Sequence, residues 1–208
     1  MFDHLKRLRT AKGFGVHSPF AFNFITNILF EKYSYYAYFD IPQYLSEKHL
    51  DAPISSIHQL SFRIVNFFHP KNVLIVGGKQ DYALPLFVNA ASPEARIICL
   101  TDQETKSKMS EICEGKIEFW HAFRFEQMDA MIVDIQLLPK AYGISIENLL
   151  KISHNQTFWV IRHIDADKES RRFWKEVQTD PRIALTFDMR QDGIVILNSS
   201  YYKLNYLV

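Results

Sequence analysis

Val73-Leu74-Ile75-Val76-Gly77-Gly78-Lys79-Gln80-Asp81 is the stretch that decides the fold. Its first four residues are apolar and mostly β-branched, which is typical of a strand buried on both faces. Gly77 and Gly78 then allow a tight turn and a close approach of the backbone to a ligand. In open α/β sheets this turn leads into a helix whose free N–H groups bind the ligand. A plain tight turn is the alternative, because the GxGxxG spacing is absent.

Similar apolar runs recur downstream, and segments with helical periodicity separate them. The runs cover residues 97–100, 130–133 and 158–161, with a weaker one at 117–120. Three helices are predicted around them: one capped by Ser55 or Ser56 and ended by Pro70, one over residues 82–91, and one capped by Asp167. Strands that alternate with helices predict an α/β fold with a doubly wound, mostly parallel sheet.

The C-terminal part has a different pattern. Residues 184–188 and 194–197 are predicted strands, and Asp192-Gly193 supplies a tight turn between them. The sheet is therefore expected to end in an antiparallel hairpin. Residues 202–207 are a candidate for one more edge strand.

The N-terminal part has its own character, and it divides the chain into an extension at 1–54 and an α/β core at 55–208. Phenylalanine and tyrosine crowd residues 14–39. Ser18-Pro19 predicts the start of a helix that runs to about Lys32, and residues 44–53 are a candidate hinge. So many aromatic side chains must be buried. Packing on the protein's own core is favoured, and a homodimer surface or a substrate lid is left open.

Composition excludes several classes of protein. Lys and Arg number 24 against 23 acidic residues, which gives no attraction to nucleic acid or to an anionic membrane. The basic cluster Lys6, Arg7, Arg9 and Lys12 is better explained as a solvated tail than as a phosphate-binding arm. No apolar run is long enough to span a membrane and no signal peptide is evident, so we expect a cytoplasmic protein. Cys99 and Cys113 show no ligand spacing and are expected to be buried thiols.

The arrangement of the whole chain resembles a family of class I S-adenosylmethionine-dependent methyltransferases. The N-terminal signature of that family corresponds here to Gly13-Phe14-Gly15-Val16-His17-Ser18-Pro19-Phe20. Further similar stretches are residues 31–39, 70–74, 129–134, 186–188 and 193–195. The resemblance covers nearly the full length and implies a Rossmann-like fold that binds S-adenosylmethionine and a methyl acceptor of unknown identity.

The resemblance also implies a cofactor site, from which this sequence departs in two places. The family has an acid near the end of the first strand and a glycine-rich turn after it. This chain has Ile75 in place of the acid and Lys79 and Asp81 in place of later glycines, which leaves Val76, Gly77 and Gly78 at the cofactor. An acid at the end of the second strand holds the ribose, and here Asp102 comes one residue late. Asp134 keeps the family's acid at the end of the fourth strand, where ligands bind.

At the end of the fifth strand the family has Asp-Asp-Ile-His, and this chain has Arg162-His163-Ile164-Asp165. Replacing two carboxylates by Arg and His removes the oxygen ligands of a hard cation, so no metal is predicted. His163 could pair with Asp134 or Asp165 as an oriented catalytic base, or lie in a surface loop. His17 could likewise be a base or a structural residue.

Two functions remain open. One is a methyltransferase that transfers a methyl group to an oxygen or nitrogen acceptor, with Asp134 and His163 as catalytic residues and Val76, Gly77, Gly78, Asp102 and Asp134 at the cofactor. The other is a non-catalytic protein that keeps the fold for binding or assembly. A dinucleotide-dependent oxidoreductase is disfavoured, because the glycine fingerprint is missing and the C-terminal hairpin is more similar to that of methyltransferases.

Overall fold

The computed structural model describes residues 2–50, 53–77, 81–113, 115–137 and 142–208, with side chains from Arg7 onward. Its strands are β1 (Asn72–Val76), β2 (Arg96–Leu100), β3 (Ile117–Trp120), β4 (Ala130–Asp134), β5 (Phe158–Arg162), β6 (Leu185–Asp188), β7 (Gly193–Ile196) and β8 (Leu204–Leu207). Within the described residues they form one sheet in the order β3-β2-β1-β4-β5-β7-β6-β8. The strands from β1 to β5 pair in parallel, and β7 runs antiparallel to β5 and β6. The predicted fold class is confirmed, and the predicted edge strand β8 pairs with β6.

Helices pack on both faces of this sheet. They are α1 (Phe2–Ala11), α2 (Pro19–Phe24), α3 (Ala37–Glu47), α4 (Ser56–Phe68), α5 (Ala83–Ala91), α6 (Gln103–Ile112), α7 (Ile146–Lys151) and α8 (Lys168–Thr179). Alternate residues of β1 belong to two separate cores, since successive strand side chains point to opposite faces. Val73 and Ile75 pack with residues of α2 to α6, and Leu74 and Val76 pack with residues of α7 and α8. No helix among the described residues is both long and apolar enough to cross a membrane.

The predicted helix caps are confirmed. Ser55 forms a capping box at the start of α4, and Asp167 accepts a hydrogen bond from the N–H of Ser170 in α8. Ser18 accepts from the N–H of Ala21. The helix that Ser18 begins is shorter than predicted: after α2 the chain makes a π-helical turn over Ile25–Leu29 and the helix ends there.

The predicted hinge at 44–53 is wrong in its first part. Residues 44–47 belong to α3, and the hydroxyl of Tyr44 donates to the carbonyl of Ile112 at 2.8 Å, which ties the extension to α6. Residues 51–52 lie outside the described part of the chain. The expected solvated basic tail is also wrong at Arg7, because its guanidinium donates to Oδ1 of Asp188 at 2.8 Å and to the carbonyl of Val208 at 3.1 Å.

The aromatic side chains of the extension divide into two groups. Phe24 is fully buried against Phe187 of β6, and Phe20 stacks on it. A second group is exposed to solvent and comprises Phe14, Phe22, Phe30, Tyr33, Tyr36 and Phe39. Packing on the core therefore accounts for part of the aromatic cluster and leaves the rest on the surface. Both cysteines are buried and free.

Candidate functional site

The candidate site lies at the carboxyl ends of β1 and β4, where the strand order reverses. From β1 the chain builds β2 and β3 on one side and then crosses over to build β4 and β5 on the other. Ligands of open α/β sheets bind in the crevice at such a switch point. Gly77 follows β1, Asp134 ends β4 and Arg162 ends β5 beside it, so the three residues border this crevice.

Gly77 is not required by the fold. Its φ angle lies outside the left-handed region, and among the described residues a Cβ placed on it would meet Cγ2 of Ile75 at an ordinary 3.7 Å. The absence of a side chain at Gly77 leaves its backbone bare, as the close approach of a ligand would need. Its N–H donates to the carbonyl of Leu100 at 3.3 Å, which holds the start of the turn against β2. Gly78, Lys79 and Gln80 lie outside the described residues.

A buried ion pair crosses the crevice. Oδ2 of Asp81, at the end of the turn, accepts a hydrogen bond from the guanidinium of Arg162. The two side chains are only 11% and 13% exposed. Because β4 lies between β1 and β5 in the sheet, the pair passes over the carboxyl end of β4. A ligand in the crevice would lie against this ion pair.

His58 of α4 completes the network from the other side. Its Nδ1 accepts from the backbone N–H of Ser55 at 3.0 Å, so the proton of the neutral ring lies on Nε2, which donates to Oδ1 of Asp81 at 3.0 Å. Burial alone would raise the pKa of Asp81. The hydrogen bond from His58 and the charge of Arg162 outweigh burial and lower that pKa to about 2. Asp81 is thus an anion whose charge the protein itself neutralises.

Asp134 and His163 meet at the carboxyl end of β4, which is one of the arrangements that the sequence left open for His163. Nδ1 of His163 lies 3.0 Å from Oδ1 of Asp134, at ion-pair distance. Asp134 is nearly buried, whereas the His163 ring is 41% exposed and faces solvent with its remaining edge. The interaction with Asp134 raises the pKa of His163, and burial opposes that effect.

The backbone at His163 supports this placement. His163 has a φ angle of 62°, in the left-handed region that a residue with a side chain seldom adopts. The turn is held because the N–H of Ile164 donates to the carbonyl of Gln191 at 2.9 Å. Residues in such conformations cluster at functional sites. Nearby, burial raises the pKa of Asp192 despite the opposing charges of Arg162 and His163.

Asp102 has a structural role, as the N-cap of α6, that the sequence analysis did not predict. It caps α6: Oδ1 accepts from the N–H groups of Glu104 and Thr105, each at 3.0 Å, and Oδ2 accepts from the Thr105 hydroxyl at 2.8 Å. Burial alone would raise the pKa of Asp102. The hydrogen bonds of the cap outweigh burial and lower that pKa. A carboxylate accepts about four hydrogen bonds. A role toward a ribose therefore stays a prediction.

The other residues near the turn have clear positions. The side chain of Val76 is buried in the sheet core, which leaves its backbone as the part available to a ligand. Ile75 fills the opposite core and does not enter the crevice. Tyr82 is buried, and its hydroxyl has no hydrogen-bond partner among the described residues.

Three further points from the sequence concern His17, a metal site and Asp165. His17 is exposed just before α2, three residues from Phe20, which packs on Phe68 at the amino ends of the parallel strands and thus away from the crevice. No cluster of three or more His, Cys, Asp or Glu side chains that could bind a metal occurs among the described residues. Asp165 pairs with Arg171 instead of His163.

Sequence reasoning missed the network formed by Asp81, Arg162 and His58. Asp81 stood out in the sequence only as a residue where a glycine was expected, and Arg162 only as a lost carboxylate. The one available signal is His58, a polar residue among the apolar positions of α4 and buried in the structure.

Solved structures with this fold include several methyltransferases. A methyltransferase from Geobacter sulfurreducens is 11% identical, with a TM-score of 0.57 over 81% of this chain and 91% of its own. The O-methyltransferase from Bacillus cereus in complex with S-adenosylhomocysteine is 15% identical, with a TM-score of 0.55 over 83% and 94%. The S-adenosylhomocysteine-bound Podospora anserina methyltransferase PaMTH1 is 12% identical, with a TM-score of 0.61 over 80% and 89%. No protein-family model and no curated protein matches the sequence.

Proposed function

We propose that this protein is an S-adenosylmethionine-dependent methyltransferase that acts on an oxygen or nitrogen acceptor. The observation that carries the proposal is the Asp134–His163 pair at the carboxyl end of β4, beside the switch-point crevice. The shared fold with methyltransferases solved with S-adenosylhomocysteine supports it.

The residues present fit the cofactor in two respects. Gly77 has no side chain, so a ligand can come close to the backbone of the turn there. Arg162 has a buried Nε–H without a partner among the described residues, so its hydrogen-bonding capacity is not exhausted by Asp81. Val76, Gly77 and Gly78 would line the cofactor, Asp102 would receive its ribose hydroxyls, and Arg162 is suited to its carboxylate.

Bound S-adenosylmethionine supplies an electrophilic methyl group. The chain itself has to position the acceptor and take its proton, and positioning alone accounts for much of the rate of such a transfer. His163 presents an exposed ring edge that can accept the proton. The carboxylate of Asp134, 3.0 Å from Nδ1, raises the pKa of His163 by stabilising the charged ring, which makes the imidazole a stronger base.

A non-catalytic role in binding or assembly is the second candidate, and the Asp81–Arg162 pair favours it. The pair closes over the end of β4 with both charges already neutralised. Asp102 is likewise engaged in its cap. In this alternative the crevice residues stabilise the fold and bind no cofactor.

Ligand-induced stabilisation distinguishes the two candidates. A ligand at about 100 times its dissociation constant stabilises the native state by about 2.7 kcal/mol. We expect S-adenosylhomocysteine to raise the melting temperature of the wild-type protein in a saturable way. No change at millimolar S-adenosylhomocysteine would favour the non-catalytic role.

Two variants assign the effect to this site. Gly77→Val should keep the fold, because the Cβ has room, and should abolish the stabilisation by S-adenosylhomocysteine. Lys175→Met, on the exposed face of α8, is the matched control and should respond like the wild type.

His163→Asn should keep cofactor binding and lower methyl transfer to any acceptor identified, by about 10²-fold or more. An unchanged ligand response in Gly77→Val would remove this turn from the site.

The extension remains a proposed dimer surface. Tyr33, Tyr36 and Phe39 are 80%, 88% and 65% exposed, which is unusual for large aromatic side chains so close in sequence. Sedimentation of the wild type and of Tyr36→Asp tests this, with dimer expected only for the former. The boundary between 1–54 and 55–208 and the cytoplasmic location stay predictions.

A further inference from the structure

A second cavity lies at the opposite end of the sheet from the crevice. Its volume is about 440 Å³, within the range of small-molecule sites. It is lined by residues that precede β1, β4 and β5, including Lys71, Asp129 and Gln156, and by residues that follow β7, including Asn198 and Tyr201. The candidate methyl-transfer site contributes no residue to it.

The apolar wall of the cavity consists of two stacked ring pairs. Phe20 of the extension stacks on Tyr201 with centroids 4.8 Å apart and planes at 19°. Phe68 stacks on Phe158 at 4.7 Å and 23°. Phe20, Phe68 and Tyr201 remain partly exposed. Because Phe20 also stacks on Phe24, with centroids 5.6 Å apart, the partly exposed rings present mainly their edges to a planar guest.

The carboxylate of Asp129, which lines the cavity, already accepts hydrogen bonds at both oxygens. Oδ2 of Asp129 accepts from the N–H groups of Lys71 and Asn72, each at 2.8 Å, and Oδ1 accepts from Nε2 of His154 at 2.8 Å. Nδ1 of His154 accepts from the N–H of Gln156 at 3.2 Å, which fixes the proton of the neutral ring on Nε2. Asp129 therefore has little capacity left for a ligand.

The remaining polar side chains that line the cavity can each donate a hydrogen bond, and they are Lys71, His69, Gln156, Asn198 and Tyr201. Within the part of the chain that the structure describes, the ammonium of Lys71 has no ion-pair or hydrogen-bond partner. Oδ1 of Asn198 accepts from the N–H of Ser200, so its side-chain NH₂ is left to donate. Gln156 adds an exposed amide. The rim thus combines the positive charge of Lys71 with uncharged donors. The negative charge of Asp129 is held by three hydrogen bonds, which leaves the Lys71 ammonium to meet an anionic group.

We propose that this cavity binds a small planar aromatic carboxylate. The ring packs against the partly exposed edges of Phe20, Phe68 and Tyr201, and the carboxylate meets Lys71 at the rim. Because the cavity is formed by the extension together with the core, the ligand also fixes Phe20 in place. The site is separate from the proposed cofactor crevice.

Binding of 2-naphthoate to the full-length protein tests the proposal, with 2-naphthamide as an uncharged probe of the same shape. In a ¹H–¹⁵N correlation spectrum we expect saturable one-to-one shifts centred on the amides of Lys71, Gln156, Asn198 and Tyr201. Non-saturable shifts, or shifts centred on the exposed aromatic residues of the extension, would overturn the proposal.

Charge and shape are tested separately. Lys71→Met should weaken 2-naphthoate about fivefold, the effect of one partly exposed ion pair, and leave 2-naphthamide unchanged. Lys175→Met is the matched control and should bind both probes like the wild type. Tyr201→Ala should weaken both probes, with circular dichroism confirming that the variant folds. Equal binding of 2-naphthoate to the Lys71→Met variant and the wild type would refute the assignment. Gly77→Val should bind 2-naphthoate normally, so the outcome is independent of the proposed methyl transfer.

Discussion

Arg162 and Asp81, which are 81 positions apart in the sequence, form a buried ion pair over the carboxyl end of β4. Arg162 closes β5, and Asp81 lies where the turn after β1 enters α5. The pair connects the two strands that flank β4 at the edge where a ligand would bind. It therefore couples the stability of the protein to the geometry of the crevice.

Removal of Arg162 is expected to be strongly destabilising. Among the described residues, Arg162→Met leaves the buried carboxylate of Asp81 with His58 and the N–H of Leu84 as partners, and such an uncompensated charge costs about 3–5 kcal/mol. Urea unfolding measures the free energy of unfolding. Arg172→Met breaks the exposed pair with Glu176 and serves as the control, with an expected change within about 0.5 kcal/mol. A loss below about 1 kcal/mol in Arg162→Met would contradict the buried pair.

The stability of the protein should depend on Asp81 in acid. Its pKa falls from an ordinary 3.8 to about 2 in the folded protein. A lowered folded-state pKa gives stability that is present above 3.8 and is lost as the pH falls toward about 2. The corresponding contribution is about 2 kcal/mol. We expect the stability difference between wild type and Asp81→Asn to shrink by that amount across this window, as measured by urea unfolding at each pH. A difference that does not vary with pH would argue against an ionised Asp81.

The Asp134–His163 contact predicts a change in a titration curve. Asp134 raises the pKa of His163, so Asp134→Asn should lower it, and NMR of the ring protons follows the titration directly. A raised folded-state pKa gives stability that is full below the unfolded value and is lost as the pH rises through the folded value. The Asp134→Asn variant should lose this dependence. The ring signal of the exposed His17 is the internal reference and should not respond to the substitution.

Gly193 is required by packing. A Cβ on Gly193 would lie 2.5 Å from Cη2 of Trp174, whose indole covers the start of β7. Trp174 cannot move freely, because its Nε1 donates to Oδ2 of Asp188 at 2.9 Å. Gly193→Ala should therefore cost about 1–3 kcal/mol in thermal or urea unfolding. Gly77→Ala, where the nearest atom would be 3.7 Å from the Cβ, should be nearly neutral. Equal stability of the two variants would disprove the packing argument.

The sequence by itself determined the sheet and its ending. The strands β1, β2, β4 and β5 are mostly apolar runs, and β3 is a weaker one that contains Glu118. Asp192-Gly193 correctly indicated a hairpin of β6 and β7, but its turn residues were placed wrongly: Gly193 belongs to β7 and pairs with Asp188, and the left-handed φ of 76° falls on Arg190. These signals are local, because burial on both faces and turn geometry restrict residue types at neighbouring positions. The helix N-caps Ser18, Ser55 and Asp167 could be predicted from the sequence for the same reason.

Only the tertiary structure decided how the polar residues are used. Asp81, His58 and Arg162 come together because α4, the turn after β1 and the end of β5 meet at one edge of the sheet, and no local pattern encodes that meeting. The same holds for Arg7 with Asp188 and for Asp129 with His154. A short stretch of sequence specifies whether a residue prefers water or the core, whereas the partner of a buried charge depends on chain segments that only folding brings into contact.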